Sequence, residues 1–232
     1  PSTTVPFELL AAKHRYFSVV ETGWPKVDPL FWGSPQRNPN ERPIILLSST
    51  FSSRLTLTPH LYEQVQRLSE MGRWQWLVTF HPKMSVEWVE KYRALENDHL
   101  QFIETDNIIP LLQQADVMVC DTSSILQEFL VLEKPVVTFR NRTPGPQLID
   151  IQQPDELESA IVQGLKPGDD LKREISDYVL QMHPYRDGRS SERVLDAVEK
   201  RLSGNQVFPS KPMNLWRNLK ARRQLNYFGW GR

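Results

Sequence analysis

Five short, nearly unbroken apolar runs constrain this chain most: Ile44-Ile45-Leu46-Leu47, Trp76-Leu77-Val78-Thr79-Phe80, Leu100-Gln101-Phe102-Ile103, Val117-Met118-Val119-Cys120 and Val136-Val137-Thr138-Phe139. A strand apolar on both of its alternating faces has no side to give to water, so it belongs inside a sheet covered above and below. Between these runs, Thr58 to Met71, Val86 to Leu95, Ile108 to Gln114 and Ser123 to Leu132 place apolar residues at helical spacing. Strand and helix in alternation imply an α/β fold, a Rossmann-like doubly wound parallel sheet. Leu148-Ile149-Asp150-Ile151 reads as one more short strand. Pro154 to Gly164, which opens Pro-Asp-Glu and ends at glycine, reads as a helix, as do residues from about 168 to 181 and from about 189 to 202.

Three regions follow from this pattern. Residues 1–42, with an early helical stretch at Pro6 to Arg15 and then Pro25, Pro29, Pro35 and Pro39, read as a linker and the remnant of a preceding domain. Residues 43–203 form the α/β domain. Residues 204–232 form a basic, aromatic tail with Phe208, Trp216, Tyr227, Phe228 and Trp230, in which Leu215, Trp216, Leu219 and Arg223 suggest a short amphipathic helix. The formal net charge of zero hides an asymmetry: eight Lys and Arg follow Glu199 with no acidic residue, so the preceding part is acidic. An acidic body argues against nucleic acid as a partner. The tail suits either an anionic membrane surface or packing against another half of the protein.

Hydrophobic residues at 39% and charged residues at 24% fit an ordinary globular protein, and no apolar stretch is long enough to span a bilayer. The lone Cys120 excludes an internal disulfide and fits a reducing compartment, so a cytoplasmic location is expected, with peripheral contact at the inner membrane face. No zinc-ligand spacing, Gly-x-Gly-x-x-Gly segment, phosphate loop or Gly-x-Ser-x-Gly elbow occurs, so neither a metal nor a cofactor is expected.

Open α/β sheets bind ligands beyond the carboxyl ends of their strands. There stands Asp121-Thr122-Ser123-Ser124, followed by Glu128. The hydroxyls and amides of Thr122, Ser123 and Ser124 suit phosphate oxygens, and Glu128, about one helical turn on, suits ribose hydroxyls. Asp121 or Thr122 could equally be a plain helix cap and Glu128 a solvated surface residue. His81, after the second run, could donate to a phosphate, act as acid and base, or simply brace a loop. Arg54, in the polar loop Thr50 to Arg54, and Arg140, opening the stiff loop Arg140 to Pro146, could hold an anion or lie on ordinary surface turns. His183 to Val194 places a turn before a helix that Ser190 or Ser191 could cap.

Together these segments resemble the nucleotide-binding C-terminal half of GT-B-type proteins, from about Val20 to Val198. Thr22-Gly23-Trp24-Pro25-Lys26-Val27-Asp28 looks like the Gly-Tyr-Pro-x-x-Asp segment of the CDP-glycerol glycerophosphotransferases of the teichoic-acid type. Ser49-Thr50-Phe51 and Asp121-Thr122-Ser123-Ser124 look like that family's Pro-Thr-Phe and Asp-Tyr-Ser-Ser. Residues 80–86, 121–128, 140–146 and 183–194 are also similar to four segments of UDP-N-acetylglucosamine 2-epimerase. Where that enzyme carries His-Arg-Arg-Glu after the first strand of this half, Ser49 to Arg54 has no histidine. The resemblance therefore implies group transfer rather than epimerisation: a half that binds CDP-glycerol or a nucleotide sugar for transfer to a cell-surface glycan or polymer. An epimerase-like enzyme and a non-catalytic nucleotide-sugar module are the alternatives. It implies phosphate contacts from His81, Thr122, Ser123 and Ser124 and a ribose contact from Glu128; with the loops expected at the same sheet edge, His81 and Arg54 are the expected catalytic residues and Arg140 a further phosphate contact. It also implies a facing N-terminal, acceptor-binding half.

Overall fold

A computed structural model describes residues 4–33, 41–204 and 207–227. Pro35 and Pro39 of the expected linker, and Phe228, Trp230 and Arg232 of the tail, lie outside the described residues. Six parallel strands form one sheet: β1 (Ile44–Ser49), β2 (Gln75–Phe80), β3 (Leu100–Phe102), β4 (Val117–Cys120), β5 (Val136–Phe139) and β6 (Ile149–Ile151), in the order β3-β2-β1-β4-β5-β6. Ile45 lies in register with Trp76 of β2 on one side and Val117 of β4 on the other. The order reverses between β1 and β4, which in a doubly wound sheet opens a crevice at the carboxyl ends of those strands.

The helices explain why the strand sequences do not alternate. Before the sheet come α1 (Thr4–His14) and a 3-10 helix (Pro25–Phe31); then α2 (Thr58–Glu70), α3 (Val86–Arg93), α4 (Ile109–Gln114), α5 (Ile125–Leu130), α6 (Leu157–Leu165), α7 (Asp169–Met182), α8 (Ser190–Ser203) and α9 (Leu215–Gln224). One face of the sheet, with Ile45, Leu47, Trp76, Val78 and Val119, packs with Leu61, Val65 and Leu68 of α2, Tyr92 of α3 and Ile161 of α6. The other, with Leu46, Leu77, Met118 and Cys120, packs with Leu112 of α4, Phe129 of α5 and Val179 of α7. The central runs are nearly unbroken because both faces are covered, whereas in the edge strand β3 Gln101 is exposed. Cys120 is fully buried, and burial pushes its thiol well above the usual range, so it packs as a small apolar residue.

Two elements differ from expectation. The helix expected over Ser123 to Leu132 is confined to α5, because the Ser123 N–H is held by the carbonyl of Asp121 at 2.8 Å in a turn that delays the helix. Residues 25–31, expected within a linker, pack into the domain: Val27 and Leu30 are buried, and Gln113 Nε2 donates to the carbonyls of Pro29, Leu30 and Gly33.

This 3-10 helix is clasped to the far end of the chain. The buried carboxylate of Asp28 accepts the N–H groups of Ser190 at 3.0 Å and Ser191 at 2.9 Å, which satisfies the first amides of α8 from 162 residues away. Gly23, at φ +88°, lies so close to this turn that a Cβ would meet Ser190 Oγ at 2.5 Å and His183 Cε1 at 3.1 Å. Trp32 Nε1 donates to the Gly188 carbonyl, and the Tyr185 hydroxyl to Glu21.

Burial opposes ionisation of Asp28, yet the hydrogen bonds from Ser190 and Ser191 outweigh it and hold the carboxyl below its usual value of 3.8. Burial, only partly offset by the Asp28 charge, holds His183 below its usual 6.5. Both folded values are depressed, so both contributions are present above the unfolded values and are lost as pH falls, His183 from 6.5 downward and Asp28 from 3.8 downward. Asp28→Ala should cost about 1–2 kcal/mol, as for a lost helix cap, and should remove the lower of these two losses. Urea titrations between neutral and acid pH measure both effects, and an unchanged midpoint would show that the clasp is not stabilising.

Candidate functional site

The crevice at the switch point is built around Asp121, the first residue after β4. Its side chain is fully buried and turns toward β1, away from α5. Ser49 Oγ donates to Oδ2 at 2.6 Å, the Thr50 N–H lies 3.0–3.1 Å from both carboxylate oxygens, and the Leu57 N–H donates at 3.2 Å. Burial pushes the Asp121 carboxyl up, while these three donors pull it down without fully cancelling the rise. A chain of hydroxyls continues from Ser49 to Thr56 at 2.8 Å and from Thr56 to Thr58 at 2.9 Å. Asp121 is therefore the brace that fixes the loop between β1 and α2 against the end of β4. It does not cap α5, whose N-terminal flanking residue, Ser124, also makes no side-chain capping bond.

Around this brace the rim residues fall into two groups. Ser123 is half-buried and Ser124 exposed at the mouth of the crevice. Thr122 is adjacent but already engaged, because its Oγ1 accepts the Arg142 N–H at 3.1 Å and so ties the loop after β5 to the turn after β4. His81 is exposed at the end of β2 and packs against Phe51 of the β1–α2 loop, 4.6 Å between centroids with the rings tilted by 42°. Its Nδ1 accepts the Lys83 N–H at 3.0 Å, so in the neutral ring the proton sits on Nε2, which is left as a donor. A small cleft of about 240 Å³ beside it is lined by His81, Phe102, Ile103, Thr105 and Asp106 among others.

Arg54 stands exposed on the β1–α2 loop with no hydrogen bond, ion pair or ring contact to any described residue. Arg140 is not turned to the Thr122–Ser124 turn. At φ +48°, it folds back over Phe139, 4.7 Å from the ring centroid, and its Nε donates to the Gln152 carbonyl at 3.0 Å. The expectation of a phosphate contact from Arg140 thus meets a guanidinium committed to the β6 edge.

Glu128 is neither solvated nor free. It is 3% exposed, and its Oε1 accepts the Lys26 ammonium at 2.5 Å. Sequence reasoning did not single out Lys26, although the Thr22 to Asp28 segment that contains it was visible. Nor did it anticipate the inward turn of Asp121, which no local pattern encodes.

A larger cleft, about 700 Å³, opens at the opposite end of the sheet, between Pro43, Trp74, Asp116, Pro135 and Lys166. We place the site at the carboxyl ends of the strands despite its smaller cavities, because the hydroxyl turn, the imidazole donor and the buried carboxylate converge there. Among the described residues, no group of three or more His, Cys, Asp or Glu is arranged to hold a metal ion.

Residues 9–199 match the family model described as UDP-N-acetylglucosamine 2-epimerase. The chain belongs to that family. It is also 26% identical over 222 residues to the teichoic acid ribitol-phosphate polymerase TarL of Staphylococcus aureus, a match covering 83% of this chain and 39% of that relative. The chain thus spans about two-fifths of the length of that curated relative. In fold it is similar to a solved UDP-N-acetylglucosamine 2-epimerase, with a TM-score of 0.61 and 19% identity over 92% of this chain and 60% of that one. It is similar as well to the wall teichoic acid polymerase TagF, with a TM-score of 0.57 and 14% identity over 79% of this chain and 52% of that one. A GT-B-type, Rossmann-like α/β fold is therefore what the sequence adopts.

Proposed function

We propose that residues 43–203, with the 3-10 helix docked on them, bind the nucleotide of an activated donor, CDP-glycerol or a nucleotide sugar, in a two-domain transferase that extends a cell-surface glycan or polymer. The observation that carries this reading is the crevice braced by Asp121. It fixes the loop after β1 against the end of β4 and leaves donors at the rim, from Ser123, Ser124 and His81 Nε2, with the Glu128 carboxylate about one turn along α5. Donors suit a diphosphate and a carboxylate suits ribose hydroxyls.

In such a reaction the acceptor hydroxyl attacks the donor and the nucleotide leaves with the bond's electron pair, as CMP from CDP-glycerol or as a nucleoside diphosphate from a sugar donor. Preorganised donors at the departing phosphate lower the barrier most. His81, Arg54 and the turn after β4 supply them. The acceptor and its base belong to the facing half. Transfer is preferred to epimerisation because no histidine occurs between Ser49 and Leu57, where the family's epimerases place one.

A thermal-shift panel of CDP-glycerol, CMP, UDP, UDP-sugars and CMP-sugars tests this. At a ligand concentration of about 100 times Kd, binding adds about 2.7 kcal/mol of apparent stability, or roughly 5–10 °C in a domain of this size. Ser123→Ala should weaken UDP or CMP about tenfold and leave uridine or cytidine unaffected. A panel without any shift would contradict the reading.

The tail supports peripheral attachment to an anionic cytoplasmic leaflet. No helix among the described residues is long and apolar enough to cross a membrane. α9 buries none of its residues, and it exposes Leu215 and Trp216 beside Arg217, Lys220, Arg222 and Arg223. The chain should co-sediment with phosphatidylglycerol vesicles, but not with phosphatidylcholine ones, and should be released by salt. Unchanged sedimentation of an Arg222→Glu/Arg223→Glu variant would count against attachment through α9.

A further inference from the structure

The mechanism above uses Glu128 but leaves open what fixes it. A carboxylate that is 96% removed from water is costly unless it is paired. Its partner is unusual in one respect: Lys26 keeps 62% of its side-chain surface in solvent while Glu128 keeps 4%. The pair occupies only Oε1. Oε2 makes no hydrogen bond and is not among the atoms sealed from solvent without a partner. The carboxylate is thus held by one oxygen and open at the other.

The backbone that follows Lys26 is fixed. Val27 is buried in the core, Asp28 is bonded to the α8 amides, and Gln113 holds the carbonyls of Pro29 and Leu30. The lysine therefore starts from a rigid base and spans the gap to α5 with a flexible stem. Two separate segments of chain meet at one carboxylate, 102 residues apart in sequence.

We propose that Lys26 is the positioning residue for ribose recognition: its ammonium fixes Glu128 by Oε1 and so presents Oε2 to the ribose hydroxyls. This rests on the assignment of Glu128 to the ribose. Lys26 acts through Glu128 and does not itself touch the phosphates. Loss of the ammonium leaves the carboxylate free to turn away, and an acceptor aimed at the hydroxyls is lost. The docked 3-10 helix thereby becomes part of the nucleotide site.

Titration calorimetry on the full chain tests it, with UDP and CMP, their 2′,3′-dideoxy analogues and inorganic pyrophosphate as probes. Lys26→Met should weaken UDP or CMP about fivefold to tenfold and leave the dideoxy analogues and pyrophosphate unchanged. Lys26→Arg should restore most of the affinity, and Lys26→Met should add no further loss to Glu128→Ala. If Lys26→Met does not fold, Lys26→Gln takes its place in the same cycle.

An equal loss for the dideoxy analogues and pyrophosphate would overturn the proposal, since Lys26 would then meet the phosphates or support the fold generally. Loss with Glu128→Ala but none with Lys26→Met would overturn it too, while leaving the nucleotide site standing. If the unaltered chain binds none of the probes, the nucleotide reading itself fails, and this inference with it.

Discussion

One buried carboxylate sets the geometry on which the rest depends. Asp121 sits where the strand order reverses and takes three donors from the opposite side of that reversal. A doubly wound sheet only guarantees that two loops diverge there; it does not say how far apart or how rigidly they stand. By accepting from Ser49, Thr50 and Leu57, Asp121 fixes the loop that carries Phe51 and Arg54, and Phe51 in turn packs against His81. A buried carboxylate without those donors would cost several kcal/mol, so the loop and the carboxylate hold each other in place.

Around this brace two polar side chains are fixed yet only partly satisfied. At the carboxyl ends of the strands, side chains are held by bonds that leave one atom open: His81 by Nδ1 with Nε2 free to donate, and Glu128 by Oε1 with Oε2 open. At the other end, charges are paired off, as Arg73 and Arg67 are with Glu158. Surface pairs of that kind contribute little to stability. What distinguishes the crevice is therefore incomplete satisfaction of groups whose positions are nevertheless fixed, which is what a site needs before its ligand arrives.

How much of this the sequence shows depends on range. Strands such as Val117–Cys120 and Val136–Phe139 are legible because burial on both faces leaves a local, unbroken apolar signature. The rim position of His81 and Ser123 follows, since each stands just after such a run. What stays hidden is every contact between distant segments. Asp121 looks like a cap for the helix that follows it and turns to a loop 72 residues earlier; Glu128 looks solvated and is covered by Lys26. The contact of Arg140 is hidden for a related reason: its backbone enters the left-handed region at the end of β5, and its Nε donates to the Gln152 carbonyl 12 residues on. Residues 25–31 look like linker because of Pro25 and Pro29, yet those prolines shape the compact turn that buries Val27 and Leu30.

The central claim is that a nucleotide lies in the crevice at the carboxyl ends of β1 and β4. Hydrogen–deuterium exchange with saturating UDP or CMP locates it directly. Slower exchange is expected in residues 50–57, 81–84 and 121–128 and in the 3-10 helix at 25–31, with no change in residues 164–167 at the opposite end of the sheet. Protection confined to that opposite end, or to no segment at all, would contradict the account.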